Sequence, residues 1–182
     1  MKSFEQPPTL EVPTIVEEAK PEDAAGIAHV RNVTWQATYT SVPKEEIVAK
    51  DFEREEQVSR WRKAIENTEG PRRLWVAKEQ GEVVGYSQGR KGEHFNEILG
   101  LYVLPDHEGK GLGSELLSRV IEWLGDEKAI TLEAAEYADR AIGLYKKFGF
   151  VPTGEEVKGP SFASGATIPS IGMIRPARNG NG

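Results

Sequence analysis

The chain has 182 residues, 38% of them hydrophobic and 29% charged, which allows one well-filled core and leaves little for a second domain. A net charge of -6 argues against nucleic-acid binding, which needs a basic face. The lack of cysteine removes disulfides, thiolate metal sites and a Cys nucleophile together.

Residues 1–13 contain Glu5, Pro7, Pro8 and Pro13 and no apolar stretch, so they are expected to be a loose tail rather than a secretory leader. No apolar run reaches transmembrane length, so a soluble, cytoplasmic protein without a membrane partner is expected. Residues 14–176 form the expected domain, and 177–182, with Asn179-Gly180-Asn181-Gly182, a second tail. Thr14–Glu18 reads as a strand. Pro21, followed by Glu22 and Asp23, opens a helix whose apolar stripe is Ile27, Val30 and Val33. A second helix is expected from Pro43, and a third around Val58, Trp61 and Ile65, stopping near Gly70-Pro71.

Residues 74–78 and 83–87 then read as strands joined by the turn Glu79-Gln80-Gly81-Glu82. A third strand spans 95–104 and ends at Pro105. Leu112, Leu116, Leu117, Val120, Ile121 and Leu124 share one face of a helix over about 111–124. A strand at 129–135 and a helix at Asp139–Lys147 follow, with Gly149 as the stop. Two strands near 150–157 and 166–174 close the chain. An antiparallel meander followed by one crossover predicts a single α/β domain with a mixed sheet.

Between a strand and the amphipathic helix stands Glu108-Gly109-Lys110-Gly111-Leu112-Gly113-Ser114. Glycines permit positive φ and close approach of a ligand, and the free amides of a helix start favour an anion, so a pyrophosphate is the expected guest. No Lys-Ser or Lys-Thr follows, which excludes a P-loop. Leu116 stands where a dinucleotide fingerprint needs glycine. Histidines 29, 94 and 107 lack the spacing of a zinc motif, and no metal is expected.

Leu101-Tyr102-Val103-Leu104-Pro105 with Glu108-Gly109-Lys110-Gly111-Leu112-Gly113 resembles the acetyl-CoA motif of the GNAT superfamily of N-acetyltransferases. The helix ending Tyr145-Lys146-Lys147-Phe148-Gly149-Phe150 resembles its second signature. The resemblance implies a GNAT fold in which residues 97–104 splay from residues 129–135. Acetyl-CoA would pair with the backbone of Leu101, Tyr102 and Val103. Its pyrophosphate would lie on the amides of Gly109, Lys110, Gly111, Leu112, Gly113 and Ser114. By the same resemblance, Tyr145 is the general acid, the amide of Val103 polarises the thioester, and Trp35 and Tyr39 line the acceptor wall.

Glu97 is the candidate base. Alternation puts it on one face with Phe95, Leu99, Leu101 and Val103, where a carboxylate is out of place unless it meets a cleft, although a bulge would turn it elsewhere. Glu133 is the second candidate, and His94 a third in a polar turn. Two departures from the family pattern stand out: Glu108 replaces a Gln or Arg, and Ala138 an Asn. The implied activity is acetyl transfer to a primary amine of a small molecule. The alternatives are a protein N-terminal or lysine acetyltransferase, or a non-catalytic acyl-CoA-binding module. A homodimer is an expectation from the resemblance alone.

Overall fold

The structure, a computed structural model, describes residues 13–49 and 54–178. The expected tails therefore lie almost wholly outside the described residues. Strand β1 (Thr14–Glu18) leads through a single 3-10 turn, Pro21–Asp23, into helix α1 (Ala24–Thr38). Asp23 fixes that entry: its buried carboxylate accepts the Lys20 amide at 2.8 Å and pairs with Lys78 at 2.8 Å. Helices α2 (Lys44–Ala49) and α3 (Arg54–Glu66) follow.

Strands β2 (Arg72–Glu79), β3 (Glu82–Arg90) and β4 (Asn96–Val103) form the meander. Positive φ at Gln80 and Gly81 makes the β2–β3 turn tight and twists it with the strands. Helix α4 (Leu112–Leu124) crosses to β5 (Ile130–Ala135), and helix α5 (Asp139–Lys147) leads to β6 (Val151–Ser161) and β7 (Thr167–Arg175). The sheet order is β1-β2-β3-β4-β5-β7-β6, antiparallel except for the β4–β5 pair.

Helices sit on both faces. Under α4, the fully buried Leu116, Leu117 and Val120 pack with Ile98, Ile130, Leu132 and Met173. On the opposite face, Ile27 and Val30 of α1 pack with Leu74, Val76 and Tyr86. A third cluster joins Trp35, Tyr39 and Ile47 to Ala135, Phe162 and Ile168. Polar groups anchor α4 to the sheet: Ser87 Oγ donates to the Leu116 carbonyl at 3.1 Å, and Asn96 Nδ2 to that of Leu124 at 2.9 Å. The Asn96 bond satisfies one of the carbonyls a helix end leaves open.

One expectation needs correcting. In β4, Ile98 pairs with Gly89 and Gly100 with Gln88, so Leu99 is an extra, bulged residue. The bulge reverses the alternation. Ile98, Leu101 and Val103 all pack under α4, whereas Glu97 stands on the opposite face with Tyr102. Glu97 therefore does not share a face with Leu101 and Val103, and Phe95 lies outside the strand.

Leu116→Ala removes a completely buried side chain from the largest cluster, and α4 cannot sink into the gap because its polar anchors hold it. A loss of about 2–5 kcal/mol in unfolding free energy is expected, read from urea denaturation.

Candidate active site

The parallel pairing of β4 with β5 runs only from Asn96–Ile130 to Ile98–Leu132. Beyond it, residues 100–103 and 133–135 diverge. Each strand stays held on its outer side, β4 by β3 and β5 by β7. The gap opens into a cavity of about 520 Å³, lined among others by Leu101, Tyr102, Val103, Glu133, Ala138 and Arg140. From the α1 side, Thr34, Thr38 and Tyr39 close it.

At one end of the gap is the glycine loop. Gly109 and Gly111 have φ of 77° and 83°, a left-handed geometry that other residues adopt only at a cost. The first turn of α4 closes with the Glu115 amide on the Gly111 carbonyl at 3.1 Å. The amides of Leu112, Gly113 and Ser114 precede that bond and are free of it, as in any helix start. At Gly113 a Cβ would come within 3.3 Å of the Leu144 side chain, a tight approach that the leucine would have to yield to.

Glu108, the acid where the resembling pattern has Gln or Arg, is paired. Arg140, in the first turn of α5, contacts its Oε2 through Nη1 at 2.6 Å. The guanidinium also lies 4.0 Å from where a Gly109 Cβ would stand, so it hangs over the loop. The charge of Glu108 is thus offset by a cation from α5. Sequence reading missed Arg140 because the pairing joins segments 32 residues apart.

A second set of contacts pins the loop from the other side. His107 Nε2 meets Glu79 at 2.8 Å, and Lys110 lies 3.6 Å from the same carboxylate. The His107 contact lowers the Glu79 pKa first, with Lys110 adding to it, so Glu79 is charged at neutral pH.

The expected catalytic residues separate. Tyr145 is 6% exposed and packs edge-on against Phe150 at 6.0 Å, so it is as much a core aromatic as a site residue. It lies on the helix stripe of Ala138 and Ala141, both of which line the cavity. Burial, with a smaller effect of Tyr102, raises its pKa well above 10.0, so the phenol is a proton donor at any working pH. Glu97 does not line this cavity. Arg90 grips its Oε2 through Nε at 2.6 Å and through Nη2.

Glu97 instead faces a neighbouring cavity of about 430 Å³. Glu133, exposed on β5, lines both cavities and stands where they meet, beside Ile98 and Leu99. His94 is exposed in the turn before β4. Tyr39 is in the cavity wall, but Trp35 is not. Trp35 is buried behind it, edge-on to Tyr39 with centroids 5.0 Å apart. Burial raises the pKa of the Tyr102 phenol, and the nearby Trp35 indole N–H, which forms no regular hydrogen bond, offsets this only in part.

The Acetyltransferase (GNAT) family profile matches residues 31–150. The chain belongs to this family. Among curated relatives, the L-amino acid N-acyltransferase MnaT of Escherichia coli is 37% identical over 87 residues, 44% of this chain and 51% of that protein. The peptidyl-lysine N-acetyltransferase YjaB of Salmonella typhimurium is 35% identical over 82 residues, 44% of this chain and 52% of that protein. The chain thus spans about half the length of these relatives. In fold it resembles the PaiA N-acetyltransferase of Thermoplasma acidophilum, solved with coenzyme A, at TM-score 0.71 and 16% identity over 90% of this chain and 99% of that one. The GNAT fold, with one mixed seven-stranded sheet and flanking helices, is as the sequence led us to expect. Among the described residues no helix is long and apolar enough to cross a membrane.

Arg140→Ala strips Glu108 of its cation beside the loop and is expected to weaken coenzyme A binding about two- to tenfold, a modest loss because the pair is exposed. Adding Glu108→Gln removes the uncompensated charge and is expected to recover most of the affinity, measured by calorimetry as a double-mutant cycle.

Proposed function

We propose that the protein transfers the acetyl group of acetyl-CoA to a primary amine of a small molecule, by direct attack in a ternary complex. The observation that carries this reading is the splay of β4 from β5 beside the glycine loop. It leaves the edge of residues 100–103 without a partner strand and puts an anion-favouring helix start at the mouth of the same cleft. An amide-rich pantetheine arm can pair with that edge as a strand would, while the pyrophosphate takes the unused amides of residues 109–114, with Arg140 above them.

In the cleft, the free amine attacks the thioester carbonyl, forming the C–N bond as the C–S bond breaks. The Val103 amide lies on the cavity wall and can donate to the oxygen where negative charge develops. The leaving thiolate takes a proton from Tyr145, whose phenol burial keeps protonated, and the proton that the acylated nitrogen sheds restores the phenol. The acceptor reaches neutral pH as an ammonium, with a pKa near 10.4 if lysine-like, so its proton must first pass to a base. Glu97 and Glu133 are the two carboxylates offered. Glu133 is the better placed, since it stands at the junction of the two cavities and Arg90 does not hold it.

A small acceptor suits a cleft closed on one side by Tyr39 and the third core cluster. A peptide acceptor is the second reading, favoured by the neighbouring cavity, which continues the cleft along the sheet past Glu97 and Phe95. A screen of amines, amino acids, polyamines and peptides for acetyl-CoA-dependent thiol release separates the two. Turnover confined to peptides would sink the small-molecule reading. Thiol release equal to the rate without acceptor throughout would sink the enzyme.

Tyr145→Phe is expected to lower kcat about 10- to 1000-fold with little change in acetyl-CoA affinity. Because the phenol titrates above 10.0, the wild-type profile should have no basic limb from Tyr145 below that pH. Glu133→Gln is expected to flatten the acidic limb of kcat/KM, where a carboxylate base becomes protonated, and Glu97→Gln to leave that limb in place. The reverse result would return the base to Glu97.

A further inference from the structure

Beside the acceptor end of the cleft lies a smaller cavity of about 170 Å³ between α1, α3, β2 and β3. Arg31, Arg60 and Arg72 line it with Gln57, Gln88 and Trp61. No carboxylate lines it among the described residues, in a chain whose net charge is -6. We infer that this cavity is an oxyanion subsite that receives the carboxylate or phosphate of the acceptor, so that the acceptor is an anionic amine rather than a polyamine. The inference rests on the small-amine reading above.

Three guanidiniums on one small volume repel one another, and an oxyanion relieves that repulsion. Burial lowers the pKa of Arg31, partly offset by Tyr86, Tyr102 and Tyr39, with Arg60 adding only the smallest effect, so desolvation dominates. Arg31 and Arg60 have other interactions as well; what sets the cavity apart is the convergence of the three. Each guanidinium offers a planar fork of donors matched to carboxylate or phosphate oxygens. Gln57 and Gln88 are buried at 5% and 8% exposure, and their amides add neutral donors at the same place. Gln57 is held by a reciprocal pair with Asn32, at 3.2 and 3.3 Å.

The position relative to the cleft makes this a subsite of the acceptor. Arg31, Thr34 and Thr38 are spaced i, i+3, i+7 on one stripe of α1, and both threonines line the main cavity. Gln88 pairs in register with Gly100, which also lines the main cavity. The two cavities are therefore about one helical turn, or one strand spacing, apart. The Arg31 guanidinium stacks 3.6 Å over the Trp35 ring, which in turn packs on Tyr39 in the acceptor wall. A molecule with its amine in the cleft and an anion a few bonds away can fill both. A second ammonium would meet three like charges.

The test uses the purified full chain with inorganic phosphate and with glutarate as probes, followed by calorimetry and tryptophan fluorescence. Arg60 and Arg72 are exposed, so Arg60→Gln and Arg72→Gln remove cavity charge without opening the core. Saturable binding of either probe that weakens tenfold or more in each variant is expected, with coenzyme A affinity serving as the folding control. Phosphate should compete with the acceptor. Each variant should raise KM tenfold or more for amino carboxylates or for amino phosphates, and whichever class responds identifies the anion. No saturable binding, binding equal in the variants, or phosphate that fails to compete with the acceptor overturns the subsite. If no amine is turned over while probe binding still depends on both arginines, the transfer reading fails and the oxyanion site stands.

Discussion

Everything at the site depends on where β4 stops pairing with β5. The ladder between them ends at Ile98–Leu132, and the next residue of β4, Leu99, is a bulge. A bulge bends its strand and increases the local twist, so β4 turns away from β5 at that point. Unpaired backbone groups cost free energy unless water or a ligand satisfies them. The gap persists because each strand is held from outside, by β3 and by β7, and because α4 packs beneath both. The cleft is a vacancy in the sheet that the rest of the sheet keeps open.

The bulge also explains what the sequence could and could not yield. A period of 3.6 located the principal helices, since burial writes it into Ile27–Val30 of α1 and Leu112–Leu124 of α4. Strands β2 and β3, buried on both faces, were legible as apolar runs flanking the turn at residues 79–82. The glycine loop was legible for a related reason: positive φ at Gly109 and Gly111 strongly favours glycine. The face of Glu97 was not legible. Nothing in Glu97-Ile98-Leu99-Gly100-Leu101 marks which residue is extra, because the bulge is set by the register against Gln88 and Gly89. A one-residue slip moves every later side chain to the other face.

Contacts distant in sequence were hidden for the same physical reason. Trp35 looked like an acceptor residue, yet the wall is made by its neighbours Thr34, Thr38 and Tyr39, and the indole packs behind them. Glu108 looked like a defect in an anion site. Its partner Arg140 sits on another helix, and only the packing of α5 against the start of α4 reveals that a cation is placed there, on α5 instead of on the loop.

That displacement changes how the loop can work. A cation at position 108 would be fixed to the loop itself. Arg140 instead stands on α5, whose start lines the cavity through Asp139 and Ala141 and whose Tyr145 is buried one turn further on. The Glu108–Arg140 pair joins the glycine loop to the first turn of α5. A pyrophosphate on the loop would draw Arg140 toward itself, because a charged donor follows the stronger anion. The pair then becomes a three-body contact of loop acid, helix base and ligand phosphate.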